Sequence, residues 1–131
     1  MIEEEQKRGD FRCWYRNPSR GTEALALYHI HNGVKKLFYP DFLIDRRVEG
    51  GDYIVDILEP HDPGRDDNVS KAKALAQYAT ENPCIGRAQL MRVAGGVLRR
   101  LDFASHSELR EKVAVINTNE ELEHLFARYG E

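Results

Sequence analysis

The chain has 131 residues, carries a formal net charge of −3 with histidine neutral, and is 41% hydrophobic and 31% charged. That length fits one domain, which buries roughly two-thirds of the surface its unfolded form exposes. The composition reads as globular and soluble, lacks an apolar run long enough for a membrane span, and is not the strongly basic profile of a protein that holds nucleic acid by bulk charge.

Residues 1–10 are expected to form a flexible or loosely helical lead-in, and 11–131 a single domain. The start, Met1-Ile2-Glu3-Glu4-Glu5, is acidic and has no apolar core of a secretory signal. Cys13 and Cys84 are too few and too far apart for a disulfide framework, so two reduced thiols in a cytoplasmic protein are expected.

Phe11–Arg16 has an aromatic, strand-like composition and stops at Asn17-Pro18. Glu23–His31 is a second strand candidate whose Ala-Leu content would also suit a short helix, and Asn32-Gly33 predicts a tight hairpin turn, because both residues tolerate positive φ. Val34–Tyr39 is the return strand. Pro40 interrupts it, since proline cannot donate to a ladder. Asp41–Asp45 resumes as a short apolar strand, and residues 49–52 turn the chain again. Tyr53–Leu58 is the most β-branched and apolar run, as expected of a central strand. Residues 59–68, with Pro60, Pro63 and Gly64, read as a loop.

A helix follows from Ser70 to about Glu81, with Ala72, Leu75, Ala76 and Ala79 as its apolar stripe. Asn82-Pro83 ends it. Ile85–Val93 and Val97–Phe103 flank Ala94-Gly95-Gly96 as another hairpin. Ser107 starts a short helix, and Thr118 with Glu121 makes a capping box for the last one. Strands, a helix, two strands and two helices predict an α/β (α+β) domain with one central sheet and helices packed on it.

Two acids stand out by position. Asp41 follows a proline at a strand start, and Asp56 lies inside the most apolar strand. A carboxylate there is costly unless paired, hydrogen-bonded or bound to metal. Converging carboxylates suit Mg²⁺, a hard ion that takes oxygen ligands. Equally, Asp56 can cap the strand end or pair with an arginine.

Tyr39-Pro40-Asp41 followed by Tyr53-Ile54-Val55-Asp56 resembles the PD-(D/E)xK nuclease pattern. More specifically, the chain resembles the C-terminal domain of type III restriction (Res-type) DEAD/DEAH-box helicases. The matching stretches are Trp14–Pro18, Leu37–Ile44, Val55–His61 and Lys71–Ala79, which together span most of residues 11–103. The resemblance implies a restriction-endonuclease-like mixed sheet flanked by helices. It also implies DNA as the partner, Mg²⁺ as the cofactor, Asp41 and Asp56 as metal ligands, and a restriction–modification or phage-defence setting. A helicase or ATPase module in the same or a partner chain would complete such a system, because no Walker-type glycine loop is present here.

The sequence departs from that pattern at the lysine two residues after the second acid, where Leu58 stands. In some members of the superfamily the lysine comes from the following helix, a part that Lys71 or Lys73 would take. Lys73 shares a helix face with Gln77, and Gln77-Tyr78 resembles the helix signature of RecB-like nucleases. Glu59 is a further metal candidate, placed by strand alternation on the face opposite Asp56 unless Pro60 marks a bulge. His61 is a candidate general base, and Glu23 an additional acid. Arg16, Arg46, Arg47, Lys71 and Gln77 are candidate DNA contacts, the grouped cations making a local phosphate-binding face. His29, His31 and His61 would make a zinc-type cluster only with ligands the spacing does not supply.

Three functions follow. They are an Mg²⁺-dependent DNA phosphodiesterase, a catalytically degenerate DNA-binding or docking module of a helicase, and an interaction domain unrelated to nucleic acid.

Overall fold

The structure, a computed structural model, describes residues 2–9, 11–18, 24–31, 33–47, 53–61 and 67–131, with backbone alone for Cys13, Tyr15, His31, Tyr53 and Ala94. Strand β1 (Phe11–Arg16) pairs antiparallel with β4 (Phe42–Arg47), Trp14 opposite Ile44 and Arg16 opposite Phe42. β4 pairs antiparallel with β5 (Tyr53–Pro60), Phe42 opposite Leu58 and Ile44 opposite Asp56. β5 then runs parallel to β6 (Ala88–Ala94). Parallel neighbours need a crossover, and helix α2 (Asn68–Glu81) lies in it. β6 and β7 (Val97–Asp102) form the closing hairpin. Its turn uses Gly95 and Gly96 at φ 58° and 78°, as an αL–αL turn requires. The mixed sheet therefore has the order β1-β4-β5-β6-β7.

The hairpin β2 (Leu27–His31) and β3 (Val34–Phe38) does not join that sheet and forms a two-stranded one of its own. The single sheet expected from the strand pattern is thus two. Pro40, buried and without an N–H, separates β3 from β4. Leu27 and His29 of the hairpin are buried, and His29 bonds to Ser70 of α2. Across the chain outside the described residues, the two Asn17 side-chain bonds with Leu25, each 2.8 Å, hold the ends of β1 and the hairpin together.

Strand alternation divides the core. On one face Leu43, Ile57, Leu90 and Leu101 pack with Leu75 of α2, Leu109 of α3 (Ser107–Val115), and Leu122 and Phe126 of α4 (Asn119–Tyr129). On the other, Ile44, Leu58 and Met91 pack with Ile2, Phe11 and Phe42. Ile2 belongs to α1 (Ile2–Gln6), which occupies the segment expected as a lead-in and buries Glu5. The capping box forms as expected: the Glu121 amide donates to Thr118 Oγ1 at 3.1 Å, and the Thr118 hydroxyl donates to Glu121 Oε1. Helix α2 begins before Ser70, because the Ser70 hydroxyl is engaged with His29 and Asp67 stands at the N-cap.

Candidate functional site

β5 runs past its apolar stretch to Glu59 and Pro60, so the residues expected to open a loop finish the strand instead. Glu59 therefore points to the helix-bearing face, two residues after Ile57. Its carboxylate is buried and held at two points. The Asp41 backbone N–H donates to Oε1 at 2.7 Å, and Lys71 Nζ lies 2.9 Å from Oε2. Lys71 sits in the first turns of α2 and also reaches Asp67, at 3.8 Å. Burial pushes the Glu59 carboxyl above its ordinary range; Lys71 and the Asp41 amide pull it down, and the Asp41 charge adds to the rise. The Asp41 backbone, the Glu59 carboxylate and the Lys71 ammonium thus meet where β4 begins, β5 ends and α2 starts.

Asp56 lies elsewhere. It is opposite Ile44, on the α1 face, and fully buried. Arg46 donates to it from Nε and Nη2 at 2.9 and 3.1 Å, and Arg87 from its amide, Nε and Nη2 at 2.7, 3.0 and 2.7 Å. Arg87 forks onward to Glu5 Oε1 and Oε2 at 3.1 and 2.6 Å, and Arg100 reaches the same carboxylate. Burial would lift the Glu5 carboxyl, yet the two arginines hold it below its ordinary value. Burial acts to lower Arg87, but Glu5 and Asp56 raise it above the usual guanidinium range. The convergence of Asp41 with Asp56 expected from the sequence is not formed. The buried acid is neutralised by arginines instead, which is the structural alternative open to it from the start.

The remaining candidates spread over several faces. Lys73 is two residues from Lys71, so the two side chains leave α2 in different directions. Lys73 lines the groove between the hairpin and α3, and Lys71, rather than Lys73, reaches the acids. The ring of His61 packs on Phe126, with centroids 5.3 Å apart, and borders a cavity with Met91 and Arg92. Arg46 is an internal partner of Asp56, and Lys71 of Glu59, so neither is displayed as a free DNA contact. Arg16 is exposed over the Phe42 ring, Arg47 is exposed at the end of β4, and the Gln77 amide donates to Glu81. Glu23 lies outside the described residues. Glu5 and Arg87, which the sequence did not single out, have no local signal. One sits in a short acidic run, the other between a glycine and the start of β6.

Among the described residues no group of three or more His, Cys, Asp or Glu side chains gathers as a metal cage. A metal at this corner would have to share the Glu59 oxygens with the Asp41 amide and Lys71; Mg²⁺ commonly takes one or two carboxylates and completes its shell with water and substrate phosphate. Asp56 does not fit it, since its oxygens are saturated by arginine donors.

A sequence model of the YagJ family matches residues 1–131. The chain is similar to Protein YagJ of Escherichia coli strain K12, with 32% identity over 124 residues, covering 93% of this chain and 50% of that protein. It therefore spans about half the length of this curated relative. No solved structure matches the chain. No helix among the described residues is long and apolar enough to cross a membrane.

Proposed function

The chain belongs to the YagJ family, and for this member we propose a nuclease-type domain that acts on the DNA backbone through Asp41, Glu59 and Lys71. The observation that carries the proposal is the linked set of Asp41 amide, Glu59 carboxylate and Lys71 ammonium, at 2.7 and 2.9 Å, on one corner of a mixed sheet. With Glu59 as second acid, the pattern Pro40-Asp41…Glu59-Pro60-His61 keeps the order of a PD-(D/E)xK site, and the lysine comes from the following helix. The mixed sheet, flanked by helices on one face and by α1 on the other, supports the restriction-endonuclease-like fold.

Asp41 and Glu59 would hold Mg²⁺, and the chemistry it would supply there is polarisation of a phosphodiester and a lowered pKa for an attacking water. The chain itself supplies the arrangement. The Asp41 amide fixes the Glu59 carboxylate in one rotamer, and Lys71 offsets its charge in a buried setting. Lys71 also places positive charge beside the position where a phosphate would accumulate negative charge. Any ATP-driven helicase partner would lie on another segment or chain. The role places the domain in the cytoplasm, with the DNA.

A second reading, a catalytically silent DNA-binding or docking module, is favoured by one observation: both Glu59 oxygens are already engaged. Titration of Mg²⁺ or Mn²⁺ against plasmid and single-stranded DNA separates the two. Cleavage that disappears in Glu59→Gln supports the nuclease. Salt-dependent binding with no cleavage at any metal concentration removes it and leaves the module.

A further inference from the structure

The outer side of α2 forms the floor of a groove. The β2–β3 hairpin makes one wall and the C-terminal half of α3 the other. Two adjoining cavities, of about 460 and 260 Å³, occupy it, and His29 and Lys73 border both. Lys36 enters from the hairpin, Lys73 from the floor and Arg110 from α3. Arg110 is pinned by bonds from Nη1 to the Phe103 and Ala104 carbonyls, at 2.7 and 3.2 Å. His29 is 6% exposed and bonded to the Ser70 hydroxyl, so polar groups are built into the floor rather than scattered on a surface. Asp67 is the acid that lines the groove, and it lies beside Lys71, which holds Glu59.

We propose that this groove binds a single strand of nucleic acid. Lys36, Lys73 and Arg110 would hold successive phosphates, and the strand would run towards Glu59 and Lys71. Three cations in one channel of a chain with net charge −3 concentrate positive charge where the overall balance does not. A positively charged groove that tracks the backbone is one element by which single strands are held without sequence preference. The channel is walled on both sides, so a convex duplex would meet only its rims. The inference deepens the proposed nuclease role, on which the identity of the strand as a substrate rests.

The test is fluorescence anisotropy of a 5′-labelled fifteen-residue oligothymidylate, in EDTA and across a salt series. Wild type, Lys36→Gln/Lys73→Gln and, as a charge control on the exposed face of β7, Arg99→Gln are compared. Each phosphate contact to a single strand contributes about 0.7 to the slope of log affinity against log salt. The double variant should therefore flatten that slope by about 1.4, with weaker binding at low salt, whereas Arg99→Gln should bind as wild type does. Absence of binding by wild type overturns the inference, as does an unchanged slope in the double variant or equally tight binding of a duplex of the same length. Metal-dependent cleavage with no dependence on Lys36 and Lys73 overturns the groove and leaves the nuclease role standing. Groove-dependent binding without cleavage supports the groove and removes the nuclease role.

Discussion

The backbone N–H of Asp41 donates to the Glu59 carboxylate at 2.7 Å, tying the start of β4 to the end of β5. The bond spans strands whose Cα register places Phe42 against Leu58, so it continues the ladder with a side chain in place of a carbonyl. It makes Glu59, rather than Asp56, the acid that belongs with Asp41. Lys71 completes the set from the crossover helix.

Lys71→Ala leaves the Glu59 carboxylate buried without its cation. Loss of one partner of a buried pair costs about 3–5 kcal/mol, and a urea titration at neutral pH should show a destabilisation of that order. Lys71→Met combined with Glu59→Gln should recover much of it. A double variant less stable than Lys71→Ala would contradict the pairing.

Glu59 also has a defined pH signature. Burial raises its folded pKa above the ordinary carboxylate value, so its protonated form favours the folded state. The associated stability is present in acid and is lost as pH rises through the raised value. Relative to wild type, Glu59→Gln should therefore gain stability between pH 4 and pH 8, read as the difference in urea midpoints. A relative loss over that interval would reverse the sign of the shift.

Glu5 should behave in the opposite way. Burial opposes it, but Arg87 and Arg100 hold its carboxyl below the ordinary range. Its stabilising contribution is present above the unfolded carboxylate value, about 4.3, and is lost as pH falls through the depressed one. Amide exchange in α1 should accelerate on that acid side, and Glu5→Gln should show fast exchange already at neutral pH. Slow exchange in Glu5→Gln would separate α1 from the arginine network.

Asp56→Asn should cost about 3–5 kcal/mol, because it strips charge from a site where Arg46 and Arg87 converge. The neighbouring Gly86 reports on the same contact. A Cβ there would lie 2.1 Å from Asp56 Oδ1 and 3.0 Å from the Val55 carbonyl. Gly86→Ala should destabilise by about 1–3 kcal/mol, the usual range for forcing atoms into a packed site. Thermal melts that place either variant at the wild-type midpoint would remove the network from the stability of the fold.

Local signals made most of the fold legible. The aromatic run ending at Pro18, the alanine–leucine stripe of α2, the glycine turn at 95–96 and the Thr118 capping box each reflect nearest-neighbour chemistry, and each element formed. The separation of the β2–β3 hairpin was not legible, because strand pattern does not say which edge a strand joins. At the site, alternation correctly placed Glu59 opposite Asp56. It did not reveal that Arg46 and Arg87, distant in sequence, converge on Asp56 and leave Asp41 to Glu59. A motif read along one strand records spacing, while the occupants of each face come from other strands.

Binding of Mn²⁺, followed by electron paramagnetic resonance in wild type, Glu59→Gln and Asp56→Asn, tests the placement of the site most directly. Asp41 and Glu59 as ligands predict that Glu59→Gln weakens binding by more than about tenfold, or about 1.4 kcal/mol. They also predict that Asp56→Asn, with a wild-type circular dichroism spectrum, keeps the wild-type affinity. Mn²⁺ binding lost in folded Asp56→Asn and intact in Glu59→Gln would contradict the account.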